Sequence, residues 1–191
     1  MIDHHVPLYD QDAGSRSTFQ YLELLVSAGC NVKFMGDNFF KHEPYSTELE
    51  AMGVEVLAGE YYRKHWKVWL ESNPGYVDII YLMRPHVAQK YLKEISSLNE
   101  KPKLIYFGHD LHYLRLKRQS VVEKNPKVEK EAEVWKKIEF QIFREVDVIY
   151  YPSEAEVAEL LQVDPTLPVK SIPLYCFENF EKVKVGFKDR I

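Results

Sequence analysis

The sequence predicts an α/β protein with a doubly wound, mostly parallel, Rossmann-like sheet of about six or seven strands and helices on both faces. Short apolar runs alternate with helical stripes from end to end, which is typical of a parallel sheet covered by helices. The run 77–83 is apolar at nearly every position, and this indicates a central strand buried on both faces. Because parallel crossovers are right-handed, a doubly wound sheet is the expected result.

Each element has a local signal in the sequence. The first helix is expected to follow Gly14 and to end at Gly29, because glycine readily takes a left-handed cap. The strands expected after the short first one are 32–35, 54–57, 77–83, 104–107, 148–151 and 169–174. The other helices are expected to run from Ser46 to Gly53, to carry Trp66 and Trp69, to begin at Pro85, to span 127–145, and to begin at a Ser153–Glu156 capping box. The polar stretch 117–127 is expected to be a mobile loop.

Composition limits the class of protein. The net charge of −4, without a clustered basic stretch, argues against a nucleic-acid partner. No apolar run approaches the length needed to span a bilayer. Cys30 and Cys176 lie far apart, which predicts neither a disulfide scaffold nor a zinc site and favours a reducing cytoplasm. We predict one Rossmann-like domain over 1–175. Residues 176–191 are expected to be a linker, or the start of a missing C-terminal domain, because both ends read as the boundaries of an excised domain.

Ligands of open α/β sheets bind at the carboxyl ends of the strands, and three segments of this chain fall there. The first is the loop 10–16, where Gly14 and free N–H groups at a helix N-terminus are suited to a phosphate or another anion. Asp12 and Ser15 serve equally well as simple helix caps. The loop lacks the GxGxxG pattern of dinucleotide-binding oxidoreductases, which weakens that alternative.

The other two segments are 108–113 and 84–86. His109 and Asp110 place a donor and an acceptor directly after a buried strand, where they suit sugar hydroxyls or acid–base work, unless local backbone satisfies the histidine. Arg84 is placed to meet a phosphate or carboxylate, or only a surface acid. Asp and His also cluster at 3–10 and 109–112. Neither spacing matches a helix-borne ligand pair, so no metal site is expected.

With these segments in place, the chain resembles glycosyltransferase family 4, and within it the bacterial enzymes of cell-surface polysaccharides. The stretches that carry the resemblance cover nearly the whole chain, and their order and spacing make it specific. They are DHHVP at 3–7, YDQDAGSR at 9–16, FMGDNF at 34–39, RPH at 84–86, YFGHDLHYLR at 106–115 and YYPS at 150–153.

The resemblance implies a GT-B architecture, in which two Rossmann-like domains face each other across a cleft and this chain supplies the first, acceptor-side domain. It implies a cytoplasmic retaining transferase at or near the inner membrane face, with a nucleotide-sugar donor, a glycan or lipid-linked acceptor and no cofactor or obligatory metal. The residues implied near the donor phosphates or the substrate are Asp12, Ala13, Gly14, Ser15, Arg16, Asn38, Arg84 and Tyr113. His109 and Asp110 are implied at the transferred sugar.

The chain also departs from the family pattern. The donor-binding second domain of the family carries a basic residue and two glutamates eight positions apart. Glu123 with Glu131, and Glu131 with Glu139, have that spacing, but we interpret both pairs as coincidental charges on a solvated face. The isolated chain is therefore expected to be inactive. The alternative is a non-catalytic Rossmann-like module in a polysaccharide assembly complex.

Overall fold

A computed structural model describes residues 1–175 as seven parallel strands and seven helices, which confirms the predicted α/β class. The strands are β1 (Ile2–Asp3), β2 (Lys33–Gly36), β3 (Glu55–Val56), β4 (Ile79–Met83), β5 (Lys103–Phe107), β6 (Val148–Tyr151) and β7 (Val169–Ser171). The helices are α1 (Ala13–Ser27), α2 (Tyr45–Met52), α3 (Glu60–Glu71), α4 (Pro85–Ser96), α5 (His112–Glu123), α6 (Pro126–Glu145) and α7 (Glu154–Val163).

The strand order β3-β2-β1-β4-β5-β6-β7 makes the two-residue strand β1 central. Ile2 pairs with Met35 of β2 on one side and with Leu82 of β4 on the other. The order of the strands therefore reverses between β1 and β4. In doubly wound folds a crevice opens at this point, beyond the carboxyl ends of the strands.

The core lies between the sheet and the helices that cover it. On one face, Leu82, Tyr106 and Ile149 of the central strands are fully buried and belong to the largest apolar cluster. A second cluster joins Leu22 of α1 and Leu49 of α2 to Phe34 of β2, all with no exposed surface. The burial of β4 and β5 confirms that the long apolar runs are central strands.

The stretch 117–127 is helical, so the prediction of a loop there was wrong. Helix α5 continues to Glu123, and α6 begins at Pro126, after Lys124 turns the chain with a φ of +50°. The mostly polar composition conceals a narrow buried stripe on the helix that packs against α6, formed by Tyr113, Leu116 and Ser120. Tertiary packing of this stripe outweighs the loop-like composition.

The predicted helix ends at glycine and the helix start at Pro85 are confirmed, and the predicted capping box is confirmed in part. Gly29 and Gly53 have positive φ at the ends of their helices, and Pro85 begins α4. Ser153 accepts a hydrogen bond from the Glu156 N–H, as a capping box requires. The Glu156 carboxylate does not return to Ser153, however, but accepts the N–H of Leu111, 3.0 Å away.

Two further findings concern membrane spans and cysteines. None of the helices in residues 1–175 is long and apolar enough to cross a membrane. Cys30 is exposed and its thiol is free. The predictions made for Cys176, and for 176–191 as a linker, fall outside the described residues.

Candidate functional site

Three of the predicted site segments meet at the crevice between β1 and β4. The loop 4–12 follows β1, the Arg84 turn follows β4, and the loop 108–111 follows β5. Parallel pairing places the carboxyl ends of these strands at one edge of the sheet. The structure therefore brings together residues that lie about a hundred positions apart in the sequence.

Asp3, at the end of β1, is the buried centre of this crevice. Its side chain is 2% exposed and accepts hydrogen bonds from Thr18 Oγ1 of α1 at 2.9 Å and from Arg84 Nε at 2.8 Å. The backbone N–H and the ring of His4 also bind it. Burial alone raises the pKa of Asp3. The His4 hydrogen bonds and the charges of Arg84 and His4 outweigh burial and hold the pKa well below its usual range.

Arg84 joins β4 to α4 and has a φ of +68°, in a region that residues other than glycine rarely adopt. Such strain persists where surrounding contacts fix it, and here the ion pair with Asp3 supplies them. The guanidinium also passes close to Gly14, where an added Cβ would lie 2.8 Å from Nη2. Within residues 1–175, neither terminal nitrogen of Arg84 has a hydrogen-bond partner. The side chain is 23% exposed, so a ligand can reach it. These nitrogens are free to bind an oxyanion.

The N-terminus of α1 is capped by Asp12. The Asp12 carboxylate accepts the Ser15 N–H at 2.8 Å and the Ser15 hydroxyl at 2.5 Å, so these two residues form a helix cap. In the described part of the chain, the N–H groups of Ala13 and Gly14 donate to no acceptor. Arg16 is exposed and lies over the Tyr9 ring at 6.0 Å. The first turn therefore retains two N–H groups beside the Arg84 guanidinium.

His109 lies on the loop after β5, with its ring edge-on to Phe107 at 5.0 Å. Burial first, and then the positive charge of Arg84, lower its pKa to about 4. The ring is therefore neutral at pH 7, with one nitrogen as donor and the other as acceptor. Both nitrogens are shielded from solvent and have no partner in residues 1–175. The alternative that local backbone binds the nitrogens of this histidine is therefore wrong.

Asp110 is held by Arg115 and contacts the His112 ring. Its carboxylate accepts Arg115 Nε at 2.6 Å, and the His112 ring lies 3.7 Å away. The contact with His112 lowers the pKa of Asp110 most. Burial raises this pKa and the bond with Arg115 lowers it, so that it lies at about 2. So acidic a carboxyl group is a weak proton acceptor at neutral pH. Its position suits holding the loop 108–111 in place or adding negative charge beside His109.

Asn38 and Tyr113 are engaged elsewhere. The Asn38 side chain accepts the Phe40 N–H and contacts His42 Nε2 at 3.1 Å, in the turn after β2. Tyr113 is 3% exposed and packs near Phe140, so it has almost no surface for a ligand. The binding role of Tyr113 stays a prediction: α5 begins at His112 and turns this ring into the core, and its hydroxyl has no hydrogen-bond partner within residues 1–175.

Histidines also gather around the mouth of the crevice. The His4 and His5 rings are 3.6 Å apart, and His86 lies 6.4 Å from His4. Burial is the main cause that lowers the pKa of His5 and of His86. Among the described residues, no three His, Cys, Asp or Glu side chains are placed to hold a metal ion. The cluster supplies hydrogen-bonding groups around Arg84.

Glu139, on α6, is a buried polar residue whose place was wrongly predicted. It has no exposed surface, whereas the sequence interpretation put it on a solvated face. Its two carboxylate oxygens accept the N–H groups of His112 at 3.0 Å and Tyr113 at 2.8 Å. Burial raises the pKa of Glu139 to about 7, against the effect of these two bonds. The carboxylate thus supplies the cap that Leu111, the residue before α5, does not provide.

The raised pKa of Glu139 predicts a pH-dependent stability. Because the folded pKa of about 7 exceeds the ordinary 4.5, the folded state binds more protons between these values, and stability falls as pH rises through this window. The fall is on the order of 3 kcal/mol. Urea unfolding at steps from pH 4.5 to 7.5 measures it. Glu139→Gln should flatten this part of the profile, whereas the exposed control Glu133→Gln should not. An unchanged profile in Glu139→Gln would contradict this assignment.

Comparison with known proteins assigns no family. No protein-family model matches the sequence, and no curated protein matches it.

Proposed function

We propose that this chain is the acceptor-side domain of a retaining glycosyltransferase of GT-B architecture, acting in the cytoplasm at or near the inner membrane face. One observation carries the proposal. The unpaired terminal nitrogens of Arg84, the free N–H groups of Ala13 and Gly14, and the unpartnered ring of His109 all lie at the edge of the sheet where β1, β4 and β5 end. A cationic fork beside a helix N-terminus suits phosphate oxygens, and a neutral imidazole suits sugar hydroxyls.

The proposed reaction transfers a sugar from a nucleotide diphosphate to a hydroxyl of a glycan or lipid-linked acceptor. The acceptor oxygen forms a bond to the anomeric carbon on the face from which the diphosphate leaves. The bond from that carbon to the diphosphate oxygen breaks, and the acceptor proton passes to the departing oxygen. Arg84 and the first turn of α1 would stabilise the negative charge that develops there. No metal or cofactor is needed for this step.

Within this scheme, His109 would bind a hydroxyl of the transferred sugar rather than move a proton. Its pKa of about 4 keeps the ring neutral, so it accepts from one hydroxyl and donates to another. Asp110, with a pKa of about 2, is not poised to remove the acceptor proton. This division agrees with a front-face mechanism, in which the leaving group itself accepts the proton.

The test is an activity assay of the full-length product of the coding sequence that contains this chain. Purified protein is incubated with a panel of nucleotide-sugars and lipid or glycan acceptors, and release of the nucleotide diphosphate is measured. Turnover with retained anomeric configuration is the expected result. A well-folded full-length protein that neither binds nor turns over any donor would overturn the proposal.

His109→Ala in that full-length protein is expected to lower turnover by about 10²-fold, the effect of a positioned polar group at a reacting centre. Far-UV circular dichroism should be unchanged, because the ring makes no hydrogen bond within the described residues. His65→Ala, at an exposed histidine of α3, is the matched control and should retain full turnover. Equal turnover in both variants would remove His109 from the site.

The second candidate is a non-catalytic module that binds a glycan or a partner in a polysaccharide assembly complex. The ion pair of Asp110 with Arg115 favours this module. In residues 1–175, the carboxylates at the crevice are already paired, so none of them is free to act as a base. The flanking coding sequence separates the two candidates. A donor-binding domain following this chain supports the transferase, and its absence supports the module.

A further inference from the structure

The loop that carries His109 is held from outside by two carboxylates of distant helices. Three consecutive N–H groups, those of Leu111, His112 and Tyr113, follow this loop and open α5. Glu156 of α7 accepts the first at 3.0 Å. Glu139 of α6 accepts the second at 3.0 Å and the third at 2.8 Å. The residue before α5 contributes no side-chain cap, so the start of this helix depends on these two glutamates.

The other end of the loop is equally constrained. Gly108 donates its N–H to the Tyr150 carbonyl at 3.0 Å and lies directly against the Tyr151 ring. Tyr151 in turn places its hydroxyl 3.5 Å from Glu139. Only His109 and Asp110 therefore lie between a fixed glycine and a fixed helix start.

We propose that Glu139 and Glu156 are positioning residues that hold the His109 loop in its buried conformation and so set the environment of the His109 ring. The importance of this loop for ligand binding rests on the function proposed above, whereas its attachment to the two glutamates does not. The site then extends to α6 and α7, which contribute no residue to the crevice itself.

The surroundings of Glu139 support this role. Titratable groups face it from the loop, from α5, from β5 and from β6, and Glu156 lies nearby on α7. They are Asp110, His112, Tyr113, Tyr106 and Tyr151. None of them is a lysine or arginine, so the two backbone N–H groups are the main partners of this carboxylate. A buried carboxylate kept for such bonds acts on the position of the backbone that donates them.

The test measures two properties of the full ligand-free chain by NMR: the His109 ring pKa, and amide hydrogen exchange at 111–113. In Glu139→Gln one acceptor oxygen becomes a donor, so either His112 or Tyr113 loses its bond. We expect exchange at that amide to quicken by about tenfold or more. The His109 pKa should rise from about 4 toward 6.5, because the loosened ring gains contact with water.

Two further variants complete the experiment. Glu131→Gln, at an exposed carboxylate of the same helix, should change neither measurement. Glu156→Ala removes the only acceptor that residues 1–175 give the Leu111 N–H, so it should quicken exchange at Leu111 and raise the His109 pKa, and it decides the question if Glu139→Gln does not fold. A His109 pKa that stays at about 4 while the amides lose protection would overturn the proposal. Both measurements are made without ligand, so a failed transferase assay leaves them unaffected.

Discussion

Gly108→Ala is expected to lower the free energy of unfolding by about 3 kcal/mol or more, at the upper end of the cost of overpacking a core. A Cβ at this position would overlap the Tyr151 ring and lie 2.6 Å from its hydroxyl oxygen. Tyr151 is fully buried between Tyr106 and Phe143, so the ring has no space to move. Urea unfolding at pH 7, followed by circular dichroism, measures the loss.

Second-site changes identify the cause of that loss. Tyr151→Phe removes only the hydroxyl and leaves the overlapping ring carbons, so it should not rescue Gly108→Ala. Tyr151→Leu removes the ring, so the double variant should be less unstable than the sum of the two single changes. An alanine variant as stable as the wild type would show that the strand end shifts freely at this point.

Asp3→Asn is expected to cost about 3–5 kcal/mol of stability, the usual penalty for removing one partner of a buried ion pair. The change leaves the Arg84 guanidinium without its countercharge beside His4, and weakens the bond from Thr18. Because the folded pKa of Asp3 is depressed, its contribution is present above its ordinary pKa of 3.8 and is lost as pH falls below it. The stability difference from wild type should therefore shrink in acid.

Denaturant unfolding at pH 7 and pH 3 tests this prediction, with Asp78→Asn as the matched control at an exposed carboxylate just before β4. The control should lose little stability at either pH. A double-mutant cycle with Arg84→Met should return a coupling energy of about 1 kcal/mol or more. If Asp3→Asn behaves like Asp78→Asn, the ion pair contributes nothing to the fold.

The sheet was predictable because the sequences of its strands are apolar, as buried strands require. The apolar runs that became β4 and β5 hold few polar residues, and glycines end α1 and α2 where a left-handed residue is needed. The structure shortens the expected strands at 54–57 and 169–174 to β3 and β7, since hydrogen bonding between strands, rather than hydrophobicity, ends them. Helix α5 was not predicted because only its packing against α6 reveals the buried stripe.

The site was predictable in outline and not in its internal pairing. Strand ends show that Gly14, Arg84 and His109 belong to one edge of the sheet. They do not show that Asp3 binds Arg84, because that depends on β1 lying beside β4. In the sequence, Asp3 stands out only as part of the Asp and His cluster at 3–10 and of the DHHVP stretch. Its position at the end of a strand with Thr18 in the facing helix is a signal visible only once the fold is known.

Glu139 illustrates a different limit. A glutamate on a long helix rich in charge is most often solvated, and nothing in its local sequence distinguishes it from Glu131 or Glu133. Its burial follows from the unmet N–H groups of His112 and Tyr113, which lie in a helix that the sequence did not reveal. The missed helix α5 and the missed buried carboxylate are therefore one error.

The two-residue strand β1 has a consequence for the order of folding. Its pairing with β4 joins segments that are farther apart in the sequence than those of any other strand pair in residues 1–175. Closing the longest loop carries the largest entropic penalty, and β1 offers little hydrogen bonding in return. We expect the two halves of the sheet to dock late, and the crevice to exist only after they do. A ligand of the crevice can bind only after the two halves have docked. Its binding therefore raises the free energy needed to separate them.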